Sequence, residues 1–301
     1  MRNSFIDTLT SQADERTMLL VGDVGYSVVE RFAERFPRQF LNVGVAEQVM
    51  TGMAAGLALE GHKVFTYSIA NFSTLRPIEQ IRNDICYHNL DVTIVSVGGG
   101  FVYGSAGYSH HAVQDIGMMA SLPHMIILLP ANAPEATYCM NYACAHGGPK
   151  YLRLGKNDNG GTLDVSPLSS VRYHVGDMSA KVAIVSVGGI LDVALEAGAL
   201  MMDAGLASAC YSVPVIDVHF AETIRERLLP HKVIVTLEES IPQCGFGSIV
   251  REALEGTGKR VVTLGAKRDN HTVVGDQHYM RKMHGIDACG VVRAIMEVCD
   301  V

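Results

Sequence analysis

One short sequence occurs almost twice in this chain and limits the folds open to it. Thr93–Gly99 reads TIVSVGG, and Ala183–Gly189 reads AIVSVGG. Each is a run of β-branched and small residues without polar alternation, the pattern of a strand buried on both faces. Each ends in paired glycines, which suit a tight turn out of the strand. The match does not recur at a fixed period, so it marks two units of similar strand chemistry and not a solenoid. At 301 residues the chain has the length for two such units.

Around each copy the alternation of strand, turn and helix continues. In the first half strands are predicted over 17–21, 39–43, 63–67, 92–97 and 126–129, with helices over 1–16, 28–36 and 78–87 and another opening at Glu47. In the second, strands over 182–187, 209–213, 233–237 and 261–264 alternate with helices over 190–204, 221–229, 247–254 and 288–298. Between them Asn157–Ser170, NDNGGTLDVSPLSS, has no apolar period and reads as a connection. The expected architecture is α/β: two doubly wound domains, 1–156 and 179–301, joined by a linker over 157–178.

Composition narrows the partners. A formal net charge of −7 argues against nucleic acid or an anionic membrane surface. The richest apolar run, Met118–Ala131, is broken by Pro123, His124 and Pro130, so no membrane span is expected. The first residues, MRNSFIDTLTSQADERT, carry charges where a signal peptide needs an apolar core. Seven cysteines without a CxxC pair suggest neither a disulfide framework nor a zinc site, and a cytoplasmic, reduced setting is expected.

Three stretches carry candidate chemistry. Asn42–Gly61, NVGVAEQVMTGMAAGLALEG, is a Gly turn followed by an apolar helix with Glu47 in its first turn. A carboxylate there is favoured by the helix dipole alone. The helix is too apolar for a solvated surface, so the acid is either exposed at its tip or held in a dry cleft. Gly22-Asp23-Val24-Gly25-Tyr26-Ser27 follows a strand; Asp23 is either a helix cap or part of a ligand turn. Gly98–His111 is a Gly-rich loop ending in His110-His111. Adjacent histidines rarely point at one ion, and no third ligand is near in sequence, so a metal site is disfavoured there.

These segments together resemble the transketolase family of thiamine diphosphate enzymes. Gly44–Gln48, GVAEQ, preceded by Arg35-Phe36-Pro37, resembles the family's pyrimidine-binding domain and is close to the GIAEQ of deoxyxylulose-phosphate synthases. The resemblance implies that Glu47 hydrogen-bonds N1′ of the cofactor's aminopyrimidine and promotes loss of the thiazolium C2 proton. Gln48 and Asp23 are then expected beside the cofactor, and Phe72, in the polar loop Ser68–Pro77, stacks on the pyrimidine. Without that role Phe72 would be a core residue. Gly104–His111, GSAGYSHH, resembles the family's GEDGPTHQ loop and implies a catalytic His110 with His111 at the substrate. The loop's usual acidic pair is Ser105-Ala106 here, which leaves substrate identity open. Ser27 and Arg153, the latter in YLRLG, are expected to contact substrate, Arg153 through a sugar phosphate; otherwise Arg153 is a surface residue of an edge strand. Glu238-Glu239-Ser240 and Gly245-Phe246-Gly247-Ser248 resemble the family's C-terminal domain.

The resemblance covers nearly the whole chain, but only a partial echo of the GDG…N motif for diphosphate and Mg²⁺ is present. It therefore implies one subunit of a split enzyme, sharing thiamine diphosphate with a second subunit that holds Mg²⁺, in an α₂β₂ assembly. The first reading is a two-chain transketolase moving a ketol unit between sugar or sugar-phosphate-like substrates. The second is the β-type subunit of a 2-oxoacid dehydrogenase E1. The third is a non-catalytic module of the same fold, against which Glu47 and His110 argue.

Overall fold

A computed structural model of the chain describes residues 1–156 and 169–299, organised on two largely parallel sheets. The first half runs α1 (Arg2–Gln12), β1 (Thr17–Val21), α2 (Glu30–Arg35), β2 (Phe40–Asn42), α3 (Glu47–Leu59), β3 (Lys63–Ile69), α4 (Ala70–Thr74) and α5 (Ile78–Gln80). A π-helical segment over Ile81–Cys86 continues α5, followed by β4 (Val92–Val97), α6 (Asp115–Ala120), β5 (Ile126–Leu128), α7 (Ala133–Ala145) and β6 (Lys150–Leu154). The second half runs β7 (Arg172–Gly176), β8 (Val182–Ser186), α8 (Leu191–Asp203), β9 (Ser208–Ser212), β10 (Val215–Ile216), α9 (Phe220–Arg227) and β11 (Val233–Leu237). It ends with α10 (Phe246–Ala253), β12 (Arg260–Leu264), α11 (Gln277–His284) and α12 (Ala288–Cys299).

The seven-stranded sheet has the order β10-β5-β6-β4-β3-β1-β2, and the five-stranded sheet β12-β11-β8-β9-β7. The two near-identical runs are the inner strands β4 and β8. Alternate residues of β1 fall to opposite faces: Met18 and Leu20 pack with Met50, Ala54 and Ile81 beneath α3, while Leu19 and Val21 pack with Phe5, Phe32 and Tyr67 beneath α1 and α2. Covered on both sides, such strands read as unbroken apolar runs.

Two boundaries differ from expectation. Residues 172–176, expected in the linker, form β7, which pairs antiparallel with β9; the second sheet therefore begins before residue 179. β10, though in the second half, pairs antiparallel with β5 and extends the first sheet. Leu129 N–H donates to Pro214 O at 2.8 Å and Gly188 N–H to Leu129 O at 3.2 Å, so the halves are stitched along this seam. The first twelve residues of the expected linker lie outside the described residues.

Candidate active site

The candidate residues gather at the C-terminal ends of β1, β3 and β4, where ligands of open parallel sheets bind. Glu47 opens α3 and is only 3% exposed. Its Oε1 accepts from Ser68 Oγ at 3.2 Å, and its Oε2 from Arg76 Nη1 at 2.9 Å. Gly22, at the end of β1, lies against the same group: a Cβ there would stand 3.1 Å from Ser68 Oγ and 3.7 Å from Glu47 Oε1. Phe72 is half-buried on α4, which replaces part of the expected polar loop. Arg76, four residues on, lays its guanidinium over the Phe72 ring, 4.1 Å from the centroid.

His110 ends the 3₁₀ turn Tyr108–His110 and meets Phe72 edge-on, with ring centroids 5.2 Å apart. Its Nδ1 lies 3.0 Å from Ser109 Oγ, which leaves Nε2 for other partners. Asn71 fixes this loop from below, its Nδ2 donating to Ser109 O at 2.9 Å and His111 O at 3.0 Å. One helical turn thus carries both the aromatic and the clamp that aims the histidine. Carboxylate, aromatic face and imidazole form one continuous constellation.

Other expected residues have different places. His111 is 2% exposed, and its Nε2–H donates to Gly104 O at 2.9 Å; it latches the loop internally and does not meet the expectation of a substrate contact. Arg153 is likewise buried, neither an exposed edge residue nor a free phosphate grip. Its Nε donates to Asp115 Oδ2 at 2.6 Å, and its Nη2 to Ala112 O at 2.8 Å and Glu239 O at 3.1 Å. Burial opposes its charge most strongly, but Asp115, Tyr151 and Glu239 together outweigh burial and raise its pKa. Gly99 makes room for this side chain, since a Cβ there would come within 2.6 Å of Arg153 Nε. Asp23 is exposed in the left-handed region (φ 56°), accepting from Asn42 Nδ2 at 3.1 Å; it caps no helix. Ser27 is exposed, its N–H donating to Glu30 Oε1, and Gln48 is exposed on the first turn of α3.

The second unit braces the histidine loop. Glu239 Oε2 accepts from Phe101 N–H at 3.2 Å and is held by Gln277 and Arg281. Gly100 is required there, because its φ is +69° and a Cβ would reach within 2.3 Å of Glu239 Oε2. Glu238 caps α10 through Phe246 and Gly247 N–H; burial raises its pKa despite those bonds. Among the described residues no group of three or more His, Cys, Asp or Glu is placed to hold a metal ion. Sequence reasoning missed Arg76, Asn71 and Ser68. The i, i+4 spacing of Phe72 and Arg76 was the available signal for the first.

Two family comparisons span this geometry. Residues 3–160 match the transketolase pyrimidine-binding domain and residues 174–291 the transketolase C-terminal domain. The chain is 31% identical to one of the subunits of apulose-4-phosphate transketolase from Actinobacillus succinogenes over 264 residues, 87% of this chain and 85% of that one. The subunit of the same name from Phocaeicola vulgatus is 30% identical over 304 residues, covering 98% and 96%. A solved split-gene transketolase, described as an inactive beta4 tetramer, superposes with a TM-score of 0.84 at 29% identity, over 98% of this chain and 96% of that one.

Proposed function

The chain belongs to the transketolase family, and from that premise we propose that it is the pyrimidine-binding subunit of a two-chain ketol transferase acting on sugar phosphates. The observation that carries the reading is the buried Glu47 joined through Arg76 to the Phe72 ring of α4, with His110 of the following loop edge-on to that ring. These residues fit an aminopyrimidine: a dry carboxyl group for a ring nitrogen and an aromatic face for the ring. Thiamine diphosphate, when bound, supplies a nucleophilic carbon that takes up and passes on a two-carbon ketol unit. Glu47 shares a proton with N1′ of the pyrimidine, and Ser68 Oγ orients the carboxyl group that does so. His110, through Nε2, takes a proton from the substrate hydroxyl and returns it. The names of the two apulose-4-phosphate transketolase relatives make a phosphorylated ketose the first donor to try.

The diphosphate and Mg²⁺ are assigned to a separate subunit, since a hard cation needs several oxygen ligands together. The exposed face of α3 and the turn before it support a partner there: Val45 in the turn and Val49 and Met53 on the helix stand in solvent, and Gly52 and Gly56 have nothing within 4 Å of an added Cβ. Closed two-fold assemblies are the commonest outcome, which favours α₂β₂. Calorimetric titration of the isolated chain with thiamine diphosphate and Mg²⁺ tests this. No saturable micromolar binding is expected until a chain carrying GDG…N is added, when ketol transfer from sugar phosphates should appear. Saturable binding without a partner would refute the two-chain assignment.

A further inference from the structure

We propose that Arg76 is a built-in stand-in for the aminopyrimidine: its guanidinium fills the slot between Glu47 and Phe72, and the cofactor enters by displacing it. The inference rests on the roles given above to Glu47 and Phe72 and goes further by naming what occupies the space between them. Two contacts define the slot. Arg76 Nη1 donates to Glu47 Oε2 at 2.9 Å, and the guanidinium carbon stands 4.1 Å from the Phe72 centroid. At that distance no second planar group fits between the guanidinium and the ring.

A guanidinium and an aminopyrimidine present the same features to such a slot. Both are planar and delocalised, with N–H donors on the rim and a face that stacks on an aromatic. The chain has a physical need for an occupant. Without Arg76, the buried Glu47 carboxylate would keep only the 3.2 Å bond from Ser68 among its side-chain partners. The occupant can also leave, because the Arg76 side chain is 47% exposed against 2% for Glu47. It reaches in from the solvent side and can swing back. Affinity for the pyrimidine is thereby reduced by the population in which Arg76 is already home.

The test uses the full-length chain and the free pyrimidine half of the cofactor, 4-amino-5-hydroxymethyl-2-methylpyrimidine, with binding followed by ligand-observed NMR. Arg76→Ala is expected to bind it roughly ten- to a hundredfold more tightly than wild type, the range set by loss of one charged hydrogen bond. Arg76→Lys, which keeps the charge without the flat face, should fall between them. Methylguanidinium should compete with the pyrimidine in the Ala variant and leave the wild-type chain unaffected. If Arg76→Ala does not fold, Arg76→Gln replaces it with the same expected direction. Equal affinity in wild type and variant, no binding to any variant, or no competition by methylguanidinium would each overturn the stand-in. Equal affinity that Glu47→Gln still abolishes would do so while leaving the cofactor role of Glu47 intact. Absence of ketol transfer in the assembled enzyme would instead count against the proposed function alone.

Discussion

Removing Asp115 separates the two readings of Arg153. Asp115 is 1% exposed and accepts from Arg153 Nε and from Tyr151 OH, both at 2.6 Å. Asp115→Ala leaves a guanidinium buried with only the Ala112 and Glu239 carbonyls as acceptors. Stranding one member of a buried ion pair costs about 3–5 kcal/mol. The Tyr151 hydroxyl, losing its carboxylate acceptor, adds about 1–3 kcal/mol. The total is about 4–8 kcal/mol, which lowers the unfolding midpoint by roughly 6–13 °C for a chain of 301 residues. The paired variant Asp115→Leu/Arg153→Met, which removes both charges, should recover at least half of that loss. Thermal denaturation followed by far-UV circular dichroism reads all three proteins. A midpoint within about 2 °C of wild type for Asp115→Ala, together with a large rise in KM for a sugar phosphate in Arg153→Met, would refute the strut and restore the phosphate grip.

Glu47→Gln should leave folding and association intact yet slow C2-proton exchange on bound thiamine diphosphate by about 10²–10⁴-fold in the assembled enzyme; exchange at the wild-type rate would remove Glu47 from its role. His110→Ala should depress turnover while cofactor affinity stays within a few-fold, and an equal loss of both would make His110 part of the cofactor pocket. His284 gives a pH dependence. Burial, helped by the Lys267 and His111 charges, lowers its pKa from the ordinary 6.5 to about 4. The unfolded chain therefore takes up that proton first as pH falls. Stability is complete above pH 6.5 and is lost as the pH drops toward 4, by about 3 kcal/mol at most. Denaturant melts across that window should show the slope, and His284→Gln should flatten it.

The inner strands were legible because they are covered on both faces, so their apolar character is written without interruption. Edge elements were not. β7, Arg172–Gly176, is polar and only partly buried, and it reads like the connection before it. β10 is two residues long and gains meaning only from its partner in the other half. α11, QHYMRKMH, buries Met280, Arg281 and His284 among polar neighbours, a stripe that apolar periodicity alone does not reveal. At the site, the resemblance rather than residue type singled out Glu47, Phe72 and His110, which the fold brings close together, while burial sets the places of His111 and Arg153. His111 and Arg153 have the chemistry of substrate ligands, but their hydrogen bonds are spent inside the protein. No spacing rule tells a guanidinium that faces substrate from one that faces an aspartate 38 residues earlier.

The short strand at Val215–Ile216 separates the order in which the chain is made from the order in which it can be finished. While the first half leaves the ribosome, the outer edge of Ile126–Leu128 has no strand beside it. It stays open to pairing with other chains until the polypeptide has been synthesised past Ile216. For the same reason, a protease cut between Lys156 and Ser169 would divide the polypeptide without dividing the sheet, and the two pieces should co-elute. The first piece expressed alone, with that edge bare, should be the aggregation-prone one.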